Sequence, residues 1–103
     1  MIQHNTTFFL PAEKVEVAAQ WLAKHYISEL KQCCEHESIV LGHMLTALED
    51  EHIGLTVSSR FNSESEAEKW DYTIGASLRQ KMSLYLNMPQ ILHFNSMIKI
   101  LNI

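Results

Sequence analysis

The sequence predicts an α+β fold: a small single domain of about three helices packed on a short, mostly antiparallel sheet. Two long segments repeat apolar residues at three- and four-residue steps, as amphipathic helices do. Shorter segments are rich in β-branched and aromatic residues or alternate apolar with polar ones, as strands do. The 103 residues fit one compact domain over 1–103. If the first and last segments are coil or helix instead, the chain is mostly α.

The first third of the chain predicts a strand followed by a helix. Residues 6–10, TTFFL, are β-branched and aromatic and end at Pro11, which is typical of a short edge strand. Residues 11–34 predict a helix, since proline suits a first helical turn. One apolar stripe follows the helix, formed by Val15, Ala18, Ala19, Leu22, Tyr26, Leu30 and Cys33.

The next segment, 36–51, is compatible with two structures. Leu41, Met44, Leu45 and Leu48 keep helical spacing among good helix formers, and we favour a helix. The apolar run 38–41, followed by Gly42, is also compatible with a buried strand.

The second half predicts strand, helix and strand. Ile53, Leu55 and Val57 alternate with polar residues, as in a strand with one face in water. A helix then begins near Asn62 or Ser63 and ends before Asn87 and Pro89. Its stripe contains Ala67, Trp70, Ile74, Leu78, Met82 and Tyr85. The tail 90–103 fits both periods, and its isoleucine content favours a strand.

The charge balance limits the kinds of partner. Eight Lys and Arg face twelve Asp and Glu, giving a net charge of −4. We expect no nucleic-acid partner and no membrane, because both need clustered positive charge or a long apolar run. Two adjacent cysteines cannot build a disulfide framework, and no secretion signal is visible. We therefore expect a cytoplasmic location.

The sequence gives little support for a metal site or for a nucleophilic catalytic residue. Cys33, Cys34, His36 and His43 are zinc-ligand types, but touching cysteines and histidines seven residues apart do not match zinc spacing. Cys33 falls on the apolar stripe near a helix C-terminus, where a thiolate is disfavoured. No nucleophile-elbow, dinucleotide, Walker A or zinc-protease motif occurs. We expect no cofactor and no metal, and an enzyme is the less favoured class.

Two features predict a protein partner. Residues 1–52 carry a net charge of −5 and residues 53–103 a net charge of +1. The acidic region, residues 35–51, could steer a basic partner, with the acids Glu35, Glu37, Glu49, Asp50 and Glu51. Val17 and Trp21 lie off the main helical stripe, so they could form an interface, including one with a second copy of the chain. Trp21 could equally belong to the core.

The leading hypothesis is a non-enzymatic protein-binding or regulatory domain, homodimeric, acting through the acidic region or the Val17–Trp21 face. The alternative is a small-molecule-binding protein or minor enzyme with an apolar pocket. That pocket would be lined by Met44, Trp70, Met82, Tyr85, Met88 and Phe94.

Overall fold

Strands and helices follow one another in the order β-α-β-β-α-β in the computed structural model, which describes residues 1–45 and 51–103. The strands of the described residues are β1 (Ile2–Pro11), β2 (Val40–His43), β3 (His52–Phe61) and β4 (Leu92–Lys99). The first helical run consists of α1 (Val15–Trp21), a π-helical turn (Leu22–Tyr26) and α2 (Ile27–Leu30). The second consists of α3 (Glu64–Trp70), a π-helical turn (Asp71–Gly75) and α4 (Ala76–Tyr85). Short 3-10 turns lie at Ala12–Lys14 and His36–Ser38.

The sheet has the strand order β2-β3-β1-β4, and every neighbouring pair is antiparallel. The expectation of an edge strand at 6–10 was wrong, because β1 lies inside the sheet. Thr6 pairs with Val57 on one side and with Asn95 on the other. The second neighbour of β1 is β4, which the tail of the chain forms. Composition alone could not show that the tail returns to pair with β1. The strand prediction for the tail itself is confirmed by β4.

The predicted helix at 36–51 was wrong for the part of this segment that the structure describes. His36–Ser38 forms a single 3-10 turn, and Val40–His43 forms β2. Leu41 pairs with Val57 of β3, so tertiary pairing outweighs the local preference for a helix. Leu48 lies outside the described residues. In residues 1–45 and 51–103, two helical runs therefore pack on the sheet, instead of about three helices.

The core lies between one face of the sheet and the two helical runs. The predicted strand at 53–61 is confirmed, with Leu55 and Val57 buried. The largest fully buried side chains come from β1 and the first helical run, and include Phe8, Leu22, Tyr26 and Leu30.

The π-helical turns shift the apolar stripes predicted from a regular period. A π turn closes over one more residue than an α turn. After Trp70 the buried position is therefore Gly75, while Ile74, predicted on the stripe, is exposed. At the far end Leu86 is buried and Tyr85 is exposed. Beyond the first helical run the shift is also one residue, because Cys34 is buried and Cys33 is exposed.

Candidate functional site

Polar side chains of β1 point into the space between sheet and helices. Successive side chains of a strand alternate between its two faces. His4, Thr6, Phe8 and Leu10 are all buried, so the even-numbered residues face the helices. His4 is only 4% exposed. Buried polar groups need hydrogen-bond partners. The partner of His4 comes from the second helical run, and the partners of Thr6 come from β4 and the first helical run.

The centre of this arrangement is the carboxylate of Asp71, the first residue of the second π turn. Nη1 of Arg79 donates to Oδ1 at 2.9 Å, and Nδ2 of Asn95 lies 3.1 Å from both carboxylate oxygens. Nε2 of His4 lies 3.4 Å from Oδ1. Nη2 of Arg79 also donates to the main-chain oxygen of Asp71 at 3.1 Å. Three elements distant in sequence thus converge on one carboxylate.

The π turn explains why Asp71 and Arg79 meet. Two turns of a regular α-helix take about 7.2 residues, so residues eight apart would diverge around the helix. The wider turn takes up the additional residue and places both side chains on the face toward β4. π turns inside α-helices occur frequently at functional sites, which makes this carboxylate the first candidate.

A second layer of hydrogen bonds holds the amide in place. Oγ1 of Thr6 donates to Oδ1 of Asn95 at 2.7 Å, and the hydroxyl of Tyr26 lies 3.5 Å from Oγ1 of Thr6. These contacts connect β1, β4 and the first helical run, and Asn95 connects them to Asp71 of the second helical run. The connected set, called below the Asp71 cluster, comprises His4, Thr6, Tyr26, Asp71, Arg79 and Asn95.

Aromatic rings enclose the cluster. The ring of Trp70 lies 6.4 Å from that of His4 and 5.3 Å from that of Tyr26, both edge to face. Phe61 meets His4 edge to face at 6.1 Å. Edge-to-face contacts between such rings are favourable, and they fix the plane of the imidazole.

The electrostatics of the cluster keep Asp71 ionised. Burial by itself would raise the pKa of Asp71, but the hydrogen bond from His4 and the charge of Arg79 outweigh it and hold that pKa below its ordinary value. Burial raises the pKa of Tyr26, so its hydroxyl stays protonated and can donate to Thr6. The cluster therefore combines an anion, a cation and neutral donors.

A small cavity of about 210 Å³ lies against the Asp71 cluster. Its wall is formed by His4, Glu68, Asp71, Tyr72, Asn95, Ser96 and Met97. Sites for drug-sized ligands occupy roughly 300–1,000 Å³, so only a smaller molecule fits here. Nε2 of His4 is engaged by Asp71, and Nδ1 has no hydrogen-bond partner in residues 1–45 and 51–103.

The Val17–Trp21 face is covered within the chain. Trp21 is 7% exposed and packs against the rings of His25, at 5.0 Å, and Tyr85, at 6.5 Å. Val17 is half-buried against the same core. Trp21 was predicted to be either an interface residue or a core residue. In the single chain it lies in the core.

The acidic region is divided between the two ends of β3. Glu35 and Glu37 are exposed near Arg60, whose main-chain amide lies 3.4 Å from Oγ of Ser38. Glu51 is exposed just before β3, about 30 Å away by strand length. Glu49 and Asp50 lie outside the described residues. The described acids of this region therefore do not form one patch, because β2 separates them.

The residues of the predicted apolar pocket do not converge. Trp70 and Met82 are buried in the core, whereas Tyr85 is exposed. Phe94 is exposed on the sheet face away from the helices. Met44 and Met88 are half-buried.

The two cysteines lie side by side, with their sulfur atoms 3.9 Å apart. Burial is the main reason that the pKa of Cys34 rises to about 12, and it also raises the pKa of Cys33. Both side chains are thiols at neutral pH, which makes them poor nucleophiles. His36 and His43 lie near opposite ends of β2, and no three His, Cys, Asp or Glu side chains within 1–45 and 51–103 are placed to hold a metal ion.

The outer face of the sheet, opposite the helices, carries exposed apolar side chains. Register places Leu92, Phe94 and Ile98 of β4 beside the odd-numbered residues of β1. They are 64%, 63% and 51% exposed. The alternation of Leu92 with Phe94 in the sequence was the signal for this surface, although Phe94 was predicted to line an apolar pocket instead.

Known structures show which fold this is. A de novo designed protein with a ferredoxin fold matches with a TM-score of 0.57 and 11% identity, over 99% of this chain and 88% of the designed chain. A dimeric ferredoxin-like protein from an uncultured marine organism matches with a TM-score of 0.54 and 10% identity, over 99% and 96% of the two chains. Another dimeric ferredoxin-like protein from an uncultured marine organism matches at 0.50 and 13%, over 99% and 91%. The chain thus has a ferredoxin-like α+β fold.

No protein-family model and no curated protein sequence matches the chain. Within the described residues, no helix is both long and apolar enough to cross a bilayer.

Gly75 is the position where the π turn meets Trp70, and its substitution tests that contact. A Cβ atom there would lie 3.0 Å from Cζ3 of Trp70 and 3.1 Å from Nη1 of Arg79. Alanine normally stabilises a helix over glycine by about 1 kcal/mol. We expect Gly75→Ala instead to lower the free energy of unfolding by roughly 1 kcal/mol, because overpacking typically costs 1–3 kcal/mol.

Urea denaturation measures this effect, with Gly42→Ala as the matched control. No atom lies within 4 Å of a Cβ built on Gly42, so that variant should be as stable as the wild type or slightly more stable. A stabilised Gly75→Ala protein would contradict the tight contact.

Proposed function

We propose that this chain is a protein-binding domain that forms a homodimer through the outer face of its sheet. The observation that carries the proposal is the row of exposed apolar side chains Leu92, Phe94 and Ile98 on β4. An antiparallel sheet covered by helices on one side normally presents polar residues to water on the other. A row of large apolar side chains on that side is typical of a surface that a partner covers.

Several polar groups in the middle of the outer face are already paired with one another. The hydroxyls of Thr7 and Thr56 lie 2.8 Å apart across β1 and β3. Oγ of Ser58 donates to Oδ1 of Asn5 at 2.7 Å, and Nδ2 of Asn5 donates to Oγ of Ser96 at 3.3 Å. Removing water from this face therefore leaves few hydrogen-bonding groups without a partner, which lowers the cost of covering it.

The size of the face suits a second copy of the chain. Four strands at about 4.8 Å spacing, the longest about 33 Å long, outline an area on the order of 600 Å². Because the side chains project from the sheet, the accessible area is larger than this outline and approaches the roughly 800 Å² per partner of a stable interface. Closed two-fold dimers are the commonest oligomers, and a flat face can pair with itself. Two structural neighbours described as dimeric ferredoxin-like proteins support this choice of occupant.

Light scattering with size exclusion tests the proposal on the full chain. We expect the wild type to have twice the chain mass of 11.9 kDa. Phe94→Glu should return the mass of one chain at the same concentration, because a charge would be buried in the interface at a cost of about 2 kcal/mol or more. Leu84→Glu is the matched control, since Leu84 is 77% exposed but lies on α4, and it should remain a dimer.

Circular dichroism should show an unchanged fold for both variants, because both side chains are largely exposed in the single chain. A wild type with the mass of one chain over the whole concentration range would overturn the proposal. So would a dimeric Phe94→Glu protein, since pairing along the backbone edge of β4 would survive that substitution.

A further inference from the structure

We propose that the cavity beside the Asp71 cluster binds a small organic cation with at least two N–H donors, such as an amidinium. The cavity lies between β4 and the second helical run, and its β-strand lining residues apart from Ser96 point to the helix side of the sheet. Three of its lining residues, His4, Asp71 and Asn95, belong to the Asp71 cluster.

His4 presents an unused hydrogen-bond acceptor beside the cavity. Its side chain is buried, with Nε2 directed at Oδ1 of Asp71. In the tautomer whose Nε2–H faces the Asp71 carboxylate, Nδ1 carries the lone pair and can accept a hydrogen bond. No described residue supplies a donor for Nδ1, and His4 forms part of the cavity wall. A ligand N–H placed in the cavity would satisfy this acceptor.

The lining of the cavity is acidic. Arg79 compensates Asp71 but does not line the cavity. Glu68 does line it, and forms no ion pair with any described residue. Among the described residues, the wall therefore carries two acidic side chains and no Lys or Arg, which favours a cation over an anion. The ring of Tyr72 and the thioether of Met97 add apolar and polarisable surface for a planar ligand.

A metal ion fits this cavity less well than an organic cation. The described residues contain no group of three His, Cys, Asp or Glu side chains able to hold one. Four donors already approach the Asp71 carboxylate and its main-chain oxygen, so Asp71 is not free to ligate. An organic cation with N–H donors does not need Asp71 as a ligand. It can donate to two other acceptors, Nδ1 of His4 and the carboxylate of Glu68.

Three probes of one shape separate the alternatives: benzamidinium, the neutral benzamide and the anionic benzoate. They are titrated into the ¹⁵N-labelled full chain and followed by NMR. We expect saturable binding of benzamidinium with a Kd of about 1 mM, as befits a fragment-sized ligand, and at least about tenfold weaker binding of the other two. The largest shifts should fall on the amides of Tyr72, Asn95 and Met97 and on the imidazole nitrogens of His4.

Glu68→Gln should weaken benzamidinium binding about tenfold, equivalent to about 1.4 kcal/mol. Glu66→Gln is the matched control: it removes an exposed acid of the same helix that does not line the cavity, and binding should be unchanged. Both residues are exposed, so both variants should fold. The proposal is overturned if no probe saturates by about 20 mM. It is also overturned if benzoate or benzamide binds equally well, if the two variants behave alike, or if the shifts lie elsewhere.

Discussion

Trp70→Ala should lower the free energy of unfolding by about 3–5 kcal/mol, the usual cost of truncating a buried aromatic side chain. Trp70 is buried and packs against His4, Tyr26 and Phe61, so its removal opens a cavity beneath the sheet. That loss is a large fraction of the 5–15 kcal/mol that stabilises a typical domain. Chemical denaturation followed by far-ultraviolet circular dichroism measures it.

Two further variants assign the effect to packing. Trp70→Phe should cost only about 1–2 kcal/mol, because it keeps a ring and removes an indole N–H that has no hydrogen-bond partner among the described residues. Tyr72→Ala, on the same π turn but exposed, should change stability by less than about 0.5 kcal/mol. If Trp70→Phe were as destabilised as Trp70→Ala, the packing account would be wrong.

Asp71→Asn should lower the free energy of unfolding at neutral pH by about 1.5–3 kcal/mol, the range for hydrogen bonds to a charged group. The substitution keeps the shape of the side chain but removes the charge that Arg79 and His4 face. It also places an amide N–H₂ among groups that are themselves donors. Thermal or urea denaturation at several pH values measures the loss.

The pH dependence of this loss has a definite sign. The folded-state pKa of Asp71 lies below its ordinary value of 3.8, so the folded chain releases this proton more readily than the unfolded chain. The stabilisation is therefore complete above that ordinary value and is lost as the pH falls through the lowered pKa. The difference between wild type and Asp71→Asn should be constant near neutrality and shrink in acid. Glu68→Gln, as a control, should show no comparable change in the acid range. A difference that grows in acid would contradict the account.

Much of the architecture could be read from local pattern. The alternation from Ile53 to Val57 and the capping serine before α3 predict elements that the structure contains, and Oγ of Ser63 accepts the amide of Glu66 at 3.2 Å. The segment at 36–51 misled, because Val40 and Leu41 in its described part form a short strand once the partner strand β3 is present. Of the stripe positions predicted after Trp70, Leu78 and Met82 are buried, whereas Ile74 is exposed and Gly75 is buried instead, because a regular period does not show a π turn.

The candidate site escaped the sequence for a different reason. His4, Asp71, Arg79 and Asn95 are far apart along the chain and form no motif, and each by itself resembles an ordinary surface residue. A weak signal was present in β1. His4, Thr6 and Phe8 are spaced two residues apart, so their side chains share the strand face that lies against the helices. The acids between 35 and 51 gave a stronger signal, yet the structure divides those it describes between two ends of the sheet.

The sequence by itself determined the α+β class and the positions of two helices and three of the strands, because these depend on composition and on periods of apolar residues within one segment. Tertiary structure alone decided that β1 is central, that Asp71 meets His4 and Asn95, and that Phe94 faces away from the helices. The physical reason is strand pairing: register between distant segments fixes which side chains share a face, and no local period contains that information.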